Sequence, residues 1–222
     1  MYKIAIDGPA AAGKSTLAKK LAKELNYVYI DTGAMYRTMA LYLLRLGITS
    51  VDLKEVAKHC SEPDIAIHCE NGTQFVYLNG ENVNGLIRTE EIGEMASAIG
   101  VVPEVRSRMV ALQKKLASEM NVVMDGRDIG TCVLPDAQLK LYLTAPIGVR
   151  AGRRYLELIE KGVDTDLDTV RKDMMERDYR DMNRAISPLR QASDAVFVDT
   201  IDMNPDQVFK YVLDLIISKV EE

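Results

Sequence analysis

The sequence predicts an α/β fold: a parallel sheet covered by helices on both faces, interrupted by a small antiparallel insert. Three observations carry this expectation. Short apolar runs alternate with helical patterns along most of the chain, as in a parallel sheet buried between helix layers. A glycine-bounded turn, GPAAAGKS from Gly8 to Ser15, separates the first apolar run from the first helical pattern. Within residues 64–85 the rhythm changes to alternating runs joined at Asn71-Gly72 and Asn79-Gly80, dipeptides that favour tight hairpins.

The elements follow in order. Residues 2–6 (YKIAI) read as a strand that stops at Asp7-Gly8-Pro9, and residues 15–25 read as a helix because Leu17, Leu21 and Leu25 recur four apart. A strand at 27–30 (YVYI) precedes a helix from about 34 to 46. After the hairpin insert come helical patterns at 90–99 and 103–120. Strands at 121–125 (NVVMD), 139–144 (LKLYLT) and 196–199 (VFVD) restore the alternation, and a last helix starts at Pro205. No repeat or low-complexity segment interrupts the pattern.

Composition bounds the function. With 222 residues, 47% of them hydrophobic, the chain can bury a sizeable interior as one large domain or a core carrying an insert. A net charge of -5 provides no global positive field toward nucleic acid or an anionic membrane, so any anion must meet a local cluster. No apolar run approaches the roughly 18 residues of a membrane span, and no charged leader precedes an apolar stretch. A soluble, cytoplasmic protein is expected. Three scattered cysteines, Cys60, Cys69 and Cys132, fit a reducing compartment better than a disulfide framework. The pairs His59-Cys60 and His68-Cys69 raise the thought of a metal site, but the strand-like IAIHC places His68 and Cys69 on opposite faces, which argues against a shared ion.

The turn at Gly8 to Ser15 matches G-x-x-x-x-G-K-[ST] and stands between a strand and a helix, where such a loop must stand. Its backbone N–H groups and the helix N-terminus suit phosphate oxygens; Lys14 reaches the β and γ phosphates, and the Ser15 hydroxyl suits magnesium. The bland alternative is a glycine turn without chemistry. Asp125, ending the run NVVMD, is the candidate acidic partner that orients magnesium through water. Only Gly8 and Gly13 are expected to place a special demand on the loop backbone, so the alanines at 11 and 12 should leave binding unaltered.

A phosphate loop alone does not name a reaction. Eight of the fourteen arginines lie between Arg150 and Arg190, interleaved with nine acidic residues. A solvated, salt-bridged helix face is one reading of that segment. The other is a phosphate clamp: Arg177, Asp181 and Arg184 fall at i, i+4 and i+7 of one helix, and the planar guanidinium matches two phosphate oxygens. Spacing leaves both open.

DTGAMYR (31–37), DGRDIGT (125–131) and RDYRDMNRA (177–185), together with GPAAAGKST, closely resemble the motifs of bacterial cytidylate kinases, in the nucleoside monophosphate kinase superfamily. The resemblance spans essentially the whole chain. It implies a P-loop three-layer core with a five-stranded parallel sheet in residues 1–62 and 101–222, a monophosphate-binding insert at 63–100 and a mobile helical lid near 150–168. It also implies transfer of the γ-phosphoryl group of ATP to CMP or dCMP, with Mg2+, by a monomer that binds neither nucleic acid nor membrane.

The resemblance implies site roles where this sequence matches the family. ATP phosphates would lie on Gly8, Pro9, Ala10, Ala11, Ala12, Gly13, Lys14, Ser15 and Thr16, with Ser15 and Asp125 serving the metal. Thr32 belongs to the substrate-binding set. Arg37, Arg127 and Arg184 would hold the CMP phosphate, Ser97, Arg106 and Asp128 would read cytosine, and Asp181 with Arg177 would contact ribose. Arg150, Arg153 and Arg154 resemble lid arginines, hinged by the loop at 162–168. Lys14, Arg127, Arg184, Arg153 and Arg154 would stabilise the transferring group. A nucleotide switch, or a small-metabolite kinase such as a shikimate or gluconate kinase, is the alternative that the phosphate loop alone leaves open.

Overall fold

Two sheets organise the chain. In the computed structural model, which describes residues 1–70 and 73–220, five parallel strands lie in the order β2-β6-β1-β7-β8. They are β1 (Lys3–Asp7), β2 (Val28–Asp31), β6 (Val122–Gly126), β7 (Leu139–Thr144) and β8 (Val196–Asp199). The second sheet is antiparallel, β3 (Ile65–Glu70), β4 (Thr73–Leu78) and the two-residue β5 (Glu81–Asn82). The hairpin signal at Asn71-Gly72 lies outside the described residues. At the other hairpin Asn79 and Gly80 take φ of 50° and 83°, the doubly positive pair of a tight turn.

The strand period of two makes the parallel sheet a middle layer. On β1, Ile4 and Ile6 join one apolar cluster with Leu17 and Leu21 of α1 (Lys14–Leu25) and Val208 and Val212 of α8 (Pro205–Val220). The residue between them, Ala5, joins another on the opposite face with Met124 and Ala117 of α5 (Pro103–Glu119). Each large aliphatic side chain so enclosed contributes about 1.5–3 kcal/mol over leaving it in water. The antiparallel sheet does not have a core to itself: Val76 and Leu78 pack with Met35 and Met39 of α2 (Thr32–Arg45), Met95 of α4 (Glu90–Ile99) and Met109 of α5.

Two elements, a short third helix and a π-helix after β6, depart from the sequence pattern. A short helix α3 (Leu53–His59) is capped by Asp52, whose carboxylate accepts the Glu55 N–H at 3.1 Å. Helix α6 (Ile147–Glu160) carries Arg150, Arg153 and Arg154 and packs antiparallel to α7 (Leu167–Asn183) across a turn in which Gly162 has φ of 74°. Directly after β6 the chain winds into a π-helix, Ile129–Val133. The face expected to hold Arg177, Asp181 and Arg184 on one helix is corrected in one respect: α7 ends at Asn183, and Arg184 caps it in an extended conformation. Among the described residues no helix is long and apolar enough to cross a membrane.

Candidate active site

The carboxyl ends of β1, β2 and β6 converge because the register pairs Ile6 with Asp125, Asp7 with Gly126, and Asp31 with Asp125. Above them opens a cleft of about 670 Å³ walled by the phosphate loop, α2, α4, the segment after β6 and α7. Such a placement, at strand ends beside a helix N-terminus, is where open α/β sheets bind ligands.

At one end lies the phosphate loop. A Cβ on Gly8 would stand 1.9 Å from the Leu143 carbonyl oxygen, so only glycine lets the loop leave β1 against β7. Gly13 enters α1 with φ of 91°. The loop makes a third demand that its motif does not announce: Ala11 also has a left-handed φ, 55°. That corrects the expectation that Gly8 and Gly13 alone bear the backbone requirement. Lys14 is 6% exposed and donates to the Pro9 carbonyl at 2.7 Å. Burial first, and the nearby Arg127 charge second, push its ammonium down to about 7. Ser15 Oγ donates to Asp125 Oδ2 at 2.7 Å, and Tyr29 donates its hydroxyl to the other oxygen at 3.0 Å. Burial and the neighbouring Asp31 charge raise the Asp125 carboxyl above its ordinary range. Thr32 Oγ1 donates to the Asp125 carbonyl at 2.7 Å, tying the start of α2 to β6.

At the other end the basic and acidic residues interlock. Asp128 is 6% exposed and lies between Arg106, in direct hydrogen-bonded contact, and Arg184, at 3.4 Å. Asp181 accepts from Arg127 Nε at 2.8 Å and lies 3.7 Å from Arg184. Burial works against ionisation of Asp181, yet the Arg127 and Arg177 guanidiniums hold its carboxyl below the usual range. Burial and the like charge of Arg127 lower Arg177 to about 10. Arg37 and Arg88 share Asp31, at 3.0 and 2.7 Å. Several buried polar atoms of this wall have no protein partner: Ser97 Oγ, Tyr36 Oη, and the Nε atoms of Arg37, Arg106 and Arg177. Buried polar groups are ordinarily paired, so this set fits a polar ligand whose edges complete it.

The cleft thus gathers Ala10, Ala11, Lys14, Ser15, Thr32, Arg37, Ser97, Arg106, Asp125, Arg127, Asp128, Arg154, Arg177, Asp181 and Arg184. Arg153 lies apart, with its guanidinium bonded to the Thr200 hydroxyl and carbonyl at 2.9 and 2.7 Å. Arg150 pairs with Asp178 at 2.7 Å and donates to the Ala10 carbonyl at 3.1 Å, bracing α6 against the loop. The histidines stand elsewhere: His59 lies between Glu55 and Glu62 on or beside α3, and His68 is edge-on to Tyr77 on the antiparallel sheet.

A sequence model of the cytidylate kinase family matches residues 4–218. The chain belongs to this family. It is 46% identical over 215 residues to a cytidylate kinase of Shouchella clausii, covering 97% of this chain and 96% of that protein. The identity is also 46%, over 212 residues, to a cytidylate kinase of Caldicellulosiruptor bescii, covering 96% and 94%. Among solved structures, a gluconokinase from Sinorhizobium meliloti superposes with a TM-score of 0.50 at 14% identity over 96% of this chain and 90% of that one. An uncharacterised protein from Eubacterium ventriosum gives 0.52 at 16% identity, covering 98% of each. These two likenesses carry the fold alone. Membership of the cytidylate kinase family makes the chain a nucleoside monophosphate kinase.

Residues that motif reading left unassigned now stand in or beside the family's cleft. Tyr36 sits within DTGAMYR, under the Arg106 guanidinium at 5.8 Å from its ring centre. Asp31 caps α2 by accepting the Ala34 N–H at 2.9 Å, a role that an Asp before a helical pattern announces. Arg88 and Asp7 had no local signal, since their partners are 57 and more than 120 residues away.

Proposed function

We propose that the chain transfers the γ-phosphoryl group of ATP to CMP, and to dCMP, giving CDP or dCDP and ADP in pyrimidine nucleotide metabolism. One observation carries the reading: Asp128, held by Arg106 and Arg184, shares its cleft with the unpartnered Ser97 hydroxyl and with the phosphate loop. A carboxylate accepts from the N4 amino group of cytosine and repels the O4 carbonyl of uracil, so Asp128, with Ser97 and Arg106, reads the base. Arg37, Arg127 and Arg184 hold the acceptor phosphate. Asp181 holds Arg127 and approaches Arg184, and with Arg177 it meets the ribose.

No general base is required, because the attacking atom is a phosphate oxygen already ionised at neutral pH. The residues at 8–16 cradle the donor phosphates, and Lys14 with Arg127, Arg184 and Arg154 spreads the negative charge of the transferring group. Alignment of the two phosphates supplies the rest. Arg153, as placed on Thr200, serves the same end only after a lid movement. The hairpin of α6 and α7 near 150–168 is the lid that excludes water, residues 63–100 are the monophosphate-binding insert, and 1–62 with 101–222 form the core.

The adjoining Ser15 hydroxyl and buried Asp125 carboxylate make an all-oxygen donor pair of the kind magnesium takes with substrate phosphates and water. Bound with ATP, Mg2+ neutralises phosphate charge. The enzyme acts as a cytoplasmic monomer without nucleic acid or membrane partners. Measuring ADP production against CMP, dCMP, UMP, AMP, shikimate, gluconate and no acceptor tests the reading. Turnover independent of acceptor would mark a nucleotide switch, and preference for shikimate or gluconate would mark a metabolite kinase.

A further inference from the structure

Asp7 ends the central strand one residue before the phosphate loop, is 4% exposed, and is absent from the wall of the cleft. No ion pair to it is found among the described residues. Instead its two oxygens accept the N–H groups of Ile129 and Gly130, at 2.8 and 2.7 Å, the first two residues of the π-helix. The opening N–H groups of any helix lack partners within the helix, and a buried one must find an acceptor. That acceptor is ordinarily the side chain at the N-cap. Here the N-cap is Asp128, and its side chain makes no cap bond. It is turned instead to Arg106 and Arg184.

We propose that Asp7 is a positioning residue for the acceptor nucleotide: it caps the π-helix in place of Asp128, which leaves Asp128 free to face the base and fixes the aim of Arg127 beside it.

The seat is tight. A Cβ on Gly130 would stand 3.3 Å from Asp7 Oδ2 and 3.2 Å from Lys140 Cδ, so the π-helix approaches this close because residue 130 has no side chain. Burial raises the Asp7 carboxyl to about 6 despite both amide bonds, with Asp128 adding to the rise and Lys14 opposing it. A carboxylate kept ionised at a cost, in a place where an apolar residue would pack, fits a functional duty. Without Asp7 these two N–H groups need another acceptor, and an Asp128 side chain recruited to cap its own helix is drawn off the base. Asp7→Asn keeps one acceptor and opposes an amino group to the second N–H; Asp7→Ala keeps none.

The inference rests on the proposed roles of Arg127 and Asp128, so the experiment reads both. Steady-state kcat/KM for CMP and UMP, and KM for ATP, are measured for wild type, Asp7→Asn, Asp7→Ala and Gly130→Ala. Wild type is expected to prefer CMP. Loss of a charge-assisted cap should raise KM for CMP about tenfold and lower the CMP-to-UMP ratio about fivefold or more in Asp7→Asn, further in Asp7→Ala, with KM for ATP changed less than about twofold. Gly130→Ala, which pushes the same pair apart, should show the same pattern more weakly and decides the matter if the Asp7 variants do not fold. An unchanged ratio with KM for ATP and CMP rising together would mean that Asp7 serves the phosphate loop, and would overturn the inference. A lowered melting temperature with unaltered KM values and ratio would overturn it too. A wild type indifferent to CMP over UMP would instead remove the reading of Asp128, and this inference with it.

Discussion

The Ser15 hydroxyl donates to the Asp125 carboxylate at 2.7 Å, joining the first turn of α1 to the end of a strand 110 residues further along. Both groups are oxygen donors, and Asp125 is buried without a cation bonded to it among the described residues. Asp125→Asn should therefore lower kcat by about a hundredfold and raise the magnesium concentration for half-maximal rate, as for other preorganised charge contacts. Titrating magnesium at saturating ATP and CMP checks this; an unaltered magnesium dependence removes Asp125 from the metal's surroundings.

Lys14 links activity to stability through pH. Its folded value of about 7 lies below the ordinary lysine value. Between the two, the native chain has released a proton that the unfolded chain keeps, so stability from this group rises with pH from about 7 toward 10 and its burial cost is felt in full below about 7. Lys14→Met should lose about a hundredfold or more in kcat. In the absence of nucleotide it should melt higher than wild type near pH 6, an advantage that shrinks toward about pH 9.5. Melting curves at both values decide; a variant less stable than wild type at the lower pH contradicts the assignment of Lys14 as a buried charge.

Arg184 bonds to the Ser187 carbonyl and faces Asp128 and Asp181, whereas Arg190 is exposed beyond Pro188. Arg184→Ala strips two buried carboxylates of a partner and should weaken CMP binding and slow transfer by about 2–5 kcal/mol in kcat/KM. Arg190→Ala should change little. Equal effects at the two positions would return this segment to a solvated, salt-bridged surface.

Asp128→Asn separates base reading from support. The amide still accepts from cytosine and can turn its amino group to uracil, so the ratio of CMP to UMP efficiency should fall by about tenfold, or 1.4 kcal/mol. If both substrates lose the same factor, selectivity rests on Ser97 and Arg106.

Ala11 holds φ of 55°, a conformation that costs a residue with a Cβ about 1–3 kcal/mol. Glycine there relieves it but adds freedom to the unfolded chain worth about 0.5–1 kcal/mol. Ala11→Gly should raise the melting temperature by about 2–4 °C. Gly8→Ala, with its Cβ driven into the Leu143 carbonyl, should not yield a working loop. A fall in melting temperature for Ala11→Gly would place the worth of Ala11 in its contact with the apolar cluster of α6 and α7.

What could be read from the chain follows the distance over which each feature is decided. The phosphate loop, α4 and α8 are local patterns of spacing and caps, and they stand where the sequence places them. Helix α3 carries a local signal of its own: Asp52 and Glu55 are three apart, as in a capping box. The π-helix has neither the helical nor the strand period, so periodicity misses it. The family resemblance names Asp128, Arg106 and Arg184 together, but their mutual contacts depend on bringing α5 and the end of α7 to the segment after β6. Whether Arg153 or Arg154 faces the cleft is a matter of one residue's rotation on α6, decided by Thr200 on the far side.

The place of β1 in the sheet has a consequence for how the enzyme is made. Its two neighbours are β6 and β7, paired from Lys3 to Val122 and from Ile4 to Leu139. During translation the earliest strand therefore waits for most of the polypeptide to emerge before it gains either flank, and Asp7 waits equally for residues 129–130. Until then the glycine loop lacks the Leu143 carbonyl that walls it in the finished fold.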